Sequence, residues 1–178
     1  MSKLKNKDLE RITIKQFKKA KKTNITIVLD NIRSALNVGS IFRTADAFLI
    51  KQIILCGITM KPPSKEIRKS ALGATNSVNW KYEKNTSQAI SKLKNDGLYI
   101  VGIEQTKQSS KLNSLKVNNI PMAIILGNEI DGISEKVIKL CDEIIEIPQF
   151  GTKNSLNVSI ANGIVIWELW KQMNLFKN

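Results

Sequence analysis

The sequence predicts an α/β fold in which a mostly parallel β-sheet is flanked by helices. Five short runs rich in Ile, Val and Leu are apolar on successive residues, which is typical of strands covered on both faces. Helical patterns lie between these runs, and strand–helix alternation favours a parallel sheet. The chain has 178 residues, of which 42% are hydrophobic and 24% are charged. These values indicate one globular domain, and the sequence contains no internal repeat or low-complexity linker.

The predicted elements follow one another from residue 24 onward. The strands are residues 25–29, 52–56, 98–103, 122–126 and 143–147. The helices are residues 38–48, 64–72, 86–95, 134–140 and about 157–173. Gly97 ends the third of these helices. The last helix has one predicted apolar face, formed by Ile160, Ala161, Ile164, Trp167 and Trp170.

Residues 1–22 form a basic segment ahead of the predicted domain at residues 23–178. The segment contains nine Lys or Arg and two acidic residues, so it carries +7 of the net charge of +13. Thr13 followed by Gln16 fits a capping box, which predicts a short helix that runs to the end of the segment with Phe17 on its apolar face. The segment is either a solvated, fraying end or an arm that grips a nucleic-acid backbone, and its charge density favours the arm.

The net charge of +13 indicates a polyanionic partner, because excess Lys and Arg concentrate phosphates near the surface before any specific contact forms. The alternative is that Lys only keeps the protein soluble. The chain has no His, which excludes Ser-His-Asp and Cys-His nucleophiles and His-ligated metals. Cys56 and Cys141 form no C-x-x-C pair, so no metal site is expected and both thiols fit a reduced, intracellular protein.

No apolar run in the sequence reaches the length of a membrane span, and the N-terminus lacks the apolar core of a signal peptide. We therefore expect a cytoplasmic protein that does not bind a membrane. In such an α/β sheet, ligands bind where loops leave the carboxyl ends of the strands. Three of these loops carry unusual residues.

The first loop follows the strand at 25–29. Asn37 and Gly39 suit the start of a helix, and a helix N-terminus with a nearby Arg is a phosphate site. Arg43 lies six residues after Asn37, so we expect both side chains near the same end of that helix. Taken alone, this loop is better explained as a capped helix that carries one surface Arg.

The second loop runs from Leu126 to Ile133. Its glycines have the spacing of a Walker A motif, but Ile133 stands where that motif requires Lys, which argues against a nucleoside triphosphate. The chain also lacks the G-x-G-x-x-G dinucleotide motif. A tight turn remains, with backbone amides and the carboxylate of Glu129, and by itself it is equally explained as an ordinary strand-to-helix turn.

The third loop spans residues 147–161. Pro148 ends the strand, Gly151 allows an unusual backbone angle, and Ser155 is a candidate cap for the final helix. Small polar side chains are costly to bury unless they are hydrogen-bonded, so a segment rich in them favours a ligand-lining role. Capping by Ser155 is the alternative explanation.

Taken together, the three loops resemble the SpoU/TrmH class of the SPOUT superfamily, the S-adenosylmethionine-dependent RNA 2′-O-ribose methyltransferases. The family motif Asn-x-Gly-x-x-x-Arg stands at Asn37 to Arg43. Its Gly-x-Glu-x-x-Gly motif stands at Gly127 to Gly132, and its Ile-Pro and Ser-Leu-Asn-Val-Ser elements stand within Ile147 to Ser159. The resemblance extends over residues 24–173.

The resemblance implies a deep trefoil knot in the C-terminal part of the fold, a rare exception among protein chains. It also implies a homodimer that acts on tRNA or rRNA and needs no metal. The first motif resembles that of the relatives that modify the ribose of a guanosine. Trp167 and Trp170 then lie either at the dimer interface or in the monomer core. The implied main-chain contacts to S-adenosylmethionine are those of Gln105, Thr106, Gly127, Ile147 and Leu156. The implied catalytic residues are Arg43, Asn37, Glu129, Ser155 and Asn157.

An arginine is a poor base, since its pKa lies above about 12. We therefore expect Arg43 to hold the target phosphate and orient the ribose hydroxyl, with nearby polar groups or the phosphate accepting the proton. Two other classes stay open: a non-catalytic RNA-binding or ribosome-assembly factor that kept the fold, and a nucleotide-dependent enzyme that uses Gly127 to Gly132.

Overall fold

A computed structural model describes residues 3–5, 8–117 and 120–174. In this part of the chain, seven parallel strands form one sheet in the order β3-β2-β1-β6-β4-β7-β5. The strands are β1 Thr23–Asp30, β2 Ile50–Cys56, β3 Trp80–Glu83, β4 Tyr99–Ile103, β5 Ser110–Lys111, β6 Met122–Leu126 and β7 Glu143–Glu146. The helices are α1 Ile14–Lys19, α2 Ala35–Ala47, α3 Lys65–Ala71, α4 Thr86–Asn95, α5 Glu135–Ile138 and α6 Val158–Asn174. The α/β class and the parallel sheet are therefore confirmed.

Helices cover both faces of the sheet, which explains why its central strands are apolar on successive residues. In β1, Ile27 and Leu29 point to a cluster that also contains buried side chains of α1, α2, α3 and α6. Val28, between them, points to a second cluster with α4 and α5. Side chains alternate across a strand, so both sets must be apolar when both faces are buried.

The five predicted strands are all present, with bounds that differ by two residues or fewer. β3 and β5 were not predicted from the sequence. Both are short edge strands, and β3 reads Trp-Lys-Tyr-Glu while β5 consists of Ser110 and Lys111. They lack the Ile, Val and Leu that mark the buried strands, because an edge strand has less of its surface covered.

The predicted apolar face of the last helix is largely its outer face. α6 buries Val165, Ile166 and Leu169 against the sheet, whereas Ile164 and Trp167 are exposed, Trp167 with 50% of its surface. The helix is apolar on both sides, so periodicity alone did not distinguish them. Trp170 packs against Phe48, with ring centroids 5.6 Å apart.

The basic N-terminal segment is anchored to the domain. The capping box between Thr13 and Gln16 is confirmed, and α1 ends at Lys19 rather than at the end of the segment. Phe17 is only 3% exposed and belongs to the main core cluster. Lys22 donates to the backbone oxygens of Phe17 and Ala20. These contacts fix the last turns of the segment against the sheet.

The strand order reverses beside β1. The chain adds β2 and β3 on one side of β1, and it adds β6, β4, β7 and β5 on the other. Such a switch point opens a crevice between loops that leave adjacent strands in opposite directions. The loop after β1 and the loop after β6 meet there. The trefoil knot stays a prediction.

Candidate functional site

A cavity of about 680 Å³ opens at the carboxyl edge of the sheet. Its walls come from the loops that follow β4, β6 and β7 and from the first turn of α6. The predicted site residues that line it are Gln105, Thr106, Gly127, Glu129, Ile147, Ser155, Leu156 and Asn157. All five predicted cofactor residues and three of the five predicted catalytic residues therefore share one cavity.

The second motif forms a closed turn whose two glycines pack against each other. Asn128 and Gly132 exchange two backbone hydrogen bonds, 3.0 and 2.9 Å long. A Cβ on Gly127 would lie 2.2 Å from the carbonyl carbon of Gly132. Gly132 has a φ of +65°, and a Cβ there would lie 2.1 Å from Oε2 of Glu104. The spacing of the two glycines is therefore set by the closure of this turn.

Glu129, between these glycines, binds the start of α2. Its Oε2 accepts a hydrogen bond from the N–H of Arg33 at 2.9 Å. Its Oε1 accepts from the N–H of Ser34 at 3.1 Å and from Nδ2 of Asn37 at 3.0 Å. One carboxylate thus joins the loop after β6 to the loop after β1, more than ninety residues earlier in the chain.

Two opposing effects act on the pKa of Glu129. Partial burial raises the pKa, while the hydrogen bonds from Arg33, Asn37 and Ser34 lower it, and the net result is a pKa below its ordinary value of 4.5. Glu129 is therefore a carboxylate at neutral pH, and both of its oxygens already accept hydrogen bonds. This arrangement suits a positioning residue better than a general base.

Asn37 and Asn157 connect the first motif to the third. Nδ2 of Asn157 donates to Oδ1 of Asn37 at 3.2 Å. Oδ1 of Asn157 accepts from the N–H of Ser159 at 2.9 Å, so Asn157 caps α6. The alternative that Ser155 caps this helix is wrong, because Asn157 occupies that position. Ser155 instead lines the cavity and is exposed to solvent.

The third loop is more open than the sequence suggested. Residues 150–157 are exposed, and Phe150 is 97% exposed. The polar side chains of this loop are therefore not buried in an apolar setting, and the desolvation argument for them does not apply within one chain. The loop closes one side of the cavity, where Nε2 of Gln105 donates to the backbone oxygen of Asn154 at 2.6 Å.

Arg43 is placed differently from the expectation. α2 begins at Ala35, so Asn37 lies in its first turn and Arg43 lies in its third. Six residues of helix separate them by about 9 Å along the axis and about 120° around it. Arg43 is exposed and is not among the residues that line the cavity. The sequence prediction that both lie near one end of the helix is therefore wrong.

Gly39 in the first motif has a packing role. A Cβ there would lie 2.1 Å from Oγ of Ser70 and 2.5 Å from the backbone oxygen of Ile67. Both contacts belong to α3, so Gly39 lets α2 and α3 approach closely. The sequence interpretation of Gly39 as part of the helix start did not anticipate this contact, which depends on a helix that follows later in the chain.

The charged side chains that line the cavity are all acidic. They are Glu104, Glu129, Asp131 and Glu146, and no Lys or Arg of the described residues lines the cavity. The remainder of the lining is apolar or neutral, so the cavity favours a cationic ligand over an anionic one. Among the residues that the structure describes, no group of three or more His, Cys, Asp or Glu could hold a metal ion.

Sequence reasoning missed two residues that organise the cavity. Oε2 of Glu104 accepts from the N–H of Ile133 at 2.9 Å, and Oε1 accepts from the N–H of Gln105. Nδ2 of Asn128 donates to the backbone oxygen of Asn31 at 2.8 Å. Glu104 directly follows one predicted strand, and Asn128 lies two residues after the end of another. Their position at the carboxyl ends of strands is the signal that could have identified them.

Neither cysteine belongs to the cavity lining. Both thiols are free, and burial raises the pKa of Cys56 to about 12 and that of Cys141 to about 11. These thiols are therefore protonated at neutral pH and unsuited to nucleophilic chemistry. No helix in the described part of the chain combines the length and apolar character that crossing a bilayer requires.

These features define an α/β protein with a candidate ligand site at the carboxyl ends of the parallel strands β4, β6 and β7. The sequence matches the SpoU rRNA Methylase family over residues 24–167. The chain belongs to this family of RNA methyltransferases, whose cofactor is S-adenosylmethionine.

Three similar proteins illustrate the match. A relative from Borreliella burgdorferi, named an uncharacterized tRNA/rRNA methyltransferase, is 34% identical over 97% of this chain and 74% of that protein. The crystal structure of the A. aeolicus TrmH/SpoU tRNA modifying enzyme is similar with a TM-score of 0.82 and 26% identity, over 92% of this chain and 83% of that one. The AdoMet-bound rRNA methyltransferase of Sinorhizobium meliloti has a TM-score of 0.80 and 27% identity, over 88% of this chain and 60% of that one.

The chain is shorter than some of its relatives. It spans 60% of the Sinorhizobium meliloti structure and 64% of a relative from Staphylococcus saprophyticus. The family match extends from β1 into α6, so it includes the loops that line the cavity.

Proposed function

We propose that this protein transfers a methyl group from S-adenosylmethionine to the 2′-hydroxyl of a ribose in tRNA or rRNA, at a guanosine. One observation carries the proposal: Glu129, Asn37 and Asn157 form a continuous hydrogen-bonded chain beside the cavity. The three motifs thus meet where a small cofactor and a ribose could lie side by side.

The cavity fits S-adenosylmethionine in size and charge. Its volume of about 680 Å³ lies within the usual range of small-molecule sites. Its carboxylates suit the sulfonium and ammonium charges of the cofactor. The main chain at Gln105, Thr106, Gly127, Ile147 and Leu156 would hold it. When bound, the cofactor supplies a methyl group on a positively charged sulfur.

Transfer of this methyl group requires an aligned hydroxyl and removal of its proton. Glu129 and Asn37 fix the first turn of α2 at the mouth of the cavity, and Ser155 and Asn157 add polar groups there. Arg43 holds the phosphate of the target nucleotide, since its guanidinium is exposed and free to form paired hydrogen bonds to an incoming anion. The proton passes to that phosphate or to a neighbouring polar group.

The protein acts as a homodimer in this proposal. The outer face of α6 exposes Ile160, Ile164 and Trp167, although its inner face already packs on the sheet. A helix that is apolar all round is typical of one that is buried on both sides. Phe150 is exposed in the nearby third loop. Pairing of two chains through these surfaces would cover them, and Arg43 would then come close to the cavity of one chain or the other.

The basic segment at residues 1–22 adds affinity for the RNA backbone. Its anchored part leaves Lys15, Lys18, Lys19 and Lys21 exposed on the surface. The two free thiols fit a reducing compartment, so we place this activity in the cytoplasm.

The test is incubation of the purified protein with methyl-labelled S-adenosylmethionine and total tRNA or rRNA. We expect label in the RNA as alkali-resistant dinucleotides, because a methylated 2′-oxygen cannot attack the adjacent phosphate. Titration calorimetry with the cofactor alone provides the control. Cofactor binding without transfer to any RNA would favour the non-catalytic RNA-binding or ribosome-assembly factor, and label confined to bases would refute ribose specificity.

A further inference from the structure

The loop at residues 57–64 follows β2 and lies beside the first motif, outside the cavity. The N–H of Ile58 donates to Oδ1 of Asn31 at 3.1 Å. The N–H of Ile32 donates to Oγ1 of Thr59 at 2.9 Å, and this buried hydroxyl donates in turn to the backbone oxygen of Leu29 at 3.1 Å. These hydrogen bonds fix the loop against the turn that leads into α2.

The outer surface of this fixed loop is apolar. Ile58 is 66% exposed, Met60 is 49% exposed, and Tyr82 of the neighbouring β3 is 38% exposed. The hydroxyl of Tyr82 donates to the backbone oxygen of Gly57 at 3.0 Å, so its ring is held at the edge of the loop. A single exposed apolar side chain is ordinary, but several on one fixed loop and its neighbouring strand indicate a binding surface.

Positive charges surround this surface. Nζ of Lys61 lies 4.2 Å from the centroid of the Tyr82 ring. Exposed basic side chains on α3 and β3 and just after β3 are Lys65, Arg68, Lys69, Lys81 and Lys84. Of the two acids in these segments, Glu83 pairs with Lys92 at 3.1 Å and with Lys81 at 3.8 Å, and Glu66 is exposed on α3. An aromatic ring among cations is the combination that binds single-stranded nucleic acid, by base stacking and phosphate contacts.

We propose that Tyr82, Lys61 and the loop at residues 57–64 bind unpaired nucleotides of the substrate RNA next to the modified ribose, with a base stacked on Tyr82. This inference rests on the proposed function and adds the surface that selects single-stranded RNA. Only unpaired nucleotides present base faces to an aromatic side chain, whereas a duplex offers phosphates and groove edges. The loop contacts Asn31 and Ile32 directly, so nucleotides held there lie beside the turn that Glu129 also contacts.

The test measures binding of a fluorescently labelled oligouridylate to four proteins: the wild type, Tyr82→Ala, Tyr82→Phe and Lys61→Gln. We expect Tyr82→Ala to bind about tenfold more weakly because a stacked base loses its partner. Tyr82→Phe keeps the ring and loses only the hydrogen bond to Gly57, so its affinity should stay within about twofold. Lys61→Gln should reduce the salt dependence by about 0.7 units of slope, as one lost phosphate contact.

Ile120→Ser serves as a matched control. Ile120 is an exposed apolar residue just before β6, so it lies at the amino ends of the strands, whereas the loop at residues 57–64 lies at their carboxyl ends. Thermal unfolding and cofactor affinity should be unchanged in all variants. If Tyr82→Ala binds the oligouridylate with wild-type affinity, the inference is overturned, and this is the result expected if the surface binds a protein instead. The inference is also overturned if Tyr82→Ala and Tyr82→Phe lose the same amount of RNA affinity. If the wild type transfers methyl groups and Tyr82→Ala has the same KM for RNA, this inference is overturned while the proposed function stands. Ring-dependent RNA binding without any methyl transfer would refute the proposed function and support the surface.

Discussion

Asn37 donates a hydrogen bond from Nδ2 to Oε1 of Glu129 across 3.0 Å, and this contact joins two motifs that lie 92 residues apart in the chain. Glu129 also accepts from two backbone N–H groups at the start of α2. The carboxylate therefore joins the first turn of α2 to the loop after β6, which lines the cavity.

Glu129→Gln should lower the free energy of unfolding by about 1 kcal/mol, because an amide has one acceptor oxygen where the carboxylate has two. The pKa of Glu129 in the folded protein lies below 4.5, so its stabilising effect is present above that pH and is lost as the pH falls through the folded-state pKa. Denaturant unfolding at neutral and acidic pH measures this. The difference in the free energy of unfolding between the wild type and Glu129→Gln should become smaller in acid.

Asp131→Asn is the control, since it removes a neighbouring exposed carboxylate from the same turn. A difference between wild type and Glu129→Gln that stays constant with pH would show that the carboxylate charge does not stabilise the junction.

Gly132→Ala should destabilise the protein by about 2 kcal/mol and weaken cofactor binding. Its φ of +65° is strained for alanine, and the new Cβ would meet Glu104. Gly151→Ala is the matched control, because a Cβ at Gly151 meets nothing within 4 Å. Thermal unfolding and cofactor titration of both variants check the prediction. Equal behaviour of the two would mean that the turn tolerates the displacement of Glu104.

Much of the fold follows from the sequence because buried parallel strands carry a strong local signal. β6 and α4 were predicted with their observed bounds, and Gly97, the predicted end signal, lies just beyond the end of α4. The inner face of α6 could not be predicted, since both of its faces are apolar and only packing on the sheet distinguishes them.

Individual residues of the site were predictable from the sequence, but the hydrogen bonds among them were not. The motifs identified Asn37, Glu129 and Asn157, but the hydrogen bonds among them link distant segments that only the sheet topology brings together. Glu104 directly follows a predicted strand, but no local signal shows that its carboxylate accepts from the N–H of Ile133. The placement of Arg43 required the true start of α2, which lies three residues earlier than the predicted one.

The basic segment is testable without deletion, since removing residues 1–22 would also remove the buried Phe17. Replacing Lys18 and Lys19 by Gln should weaken RNA binding and reduce the salt dependence by about 0.7–0.9 units of slope for each lost phosphate contact. Lys136→Gln combined with Lys139→Gln is the control, because those exposed residues belong to or adjoin α5 on the other face of the sheet. Equal slopes in the two double variants would contradict the role of the segment.

Ile164→Lys should convert the proposed dimer into a monomer, because a charge on the exposed face of α6 cannot be buried without a partner. Sedimentation of the wild type and the variant measures the mass. Ile14→Lys adds the same charge to an exposed position on α1 and should leave the dimer intact. A monomeric wild type would remove the homodimer from the account.

Arg43→Ala should lower the rate of methyl transfer about a hundredfold while cofactor affinity is retained, because Arg43 lies outside the cavity and is proposed to hold the RNA phosphate. Arg43→Lys should recover only part of the rate, since an ammonium cannot form the paired hydrogen bonds of a guanidinium. Single-turnover rates and calorimetry separate the two effects. Lost cofactor binding with an unchanged rate at saturation would refute this assignment.

The central claim is ribose methylation of RNA by a cofactor held where the three motifs meet. The most direct measurement is a map of 2′-O-methylated nucleotides in total RNA from cells with and without this protein. We predict the loss of methylation at a defined guanosine of tRNA or rRNA, restored by the wild type and not by Arg43→Ala. Identical maps in the two cell populations would contradict the account.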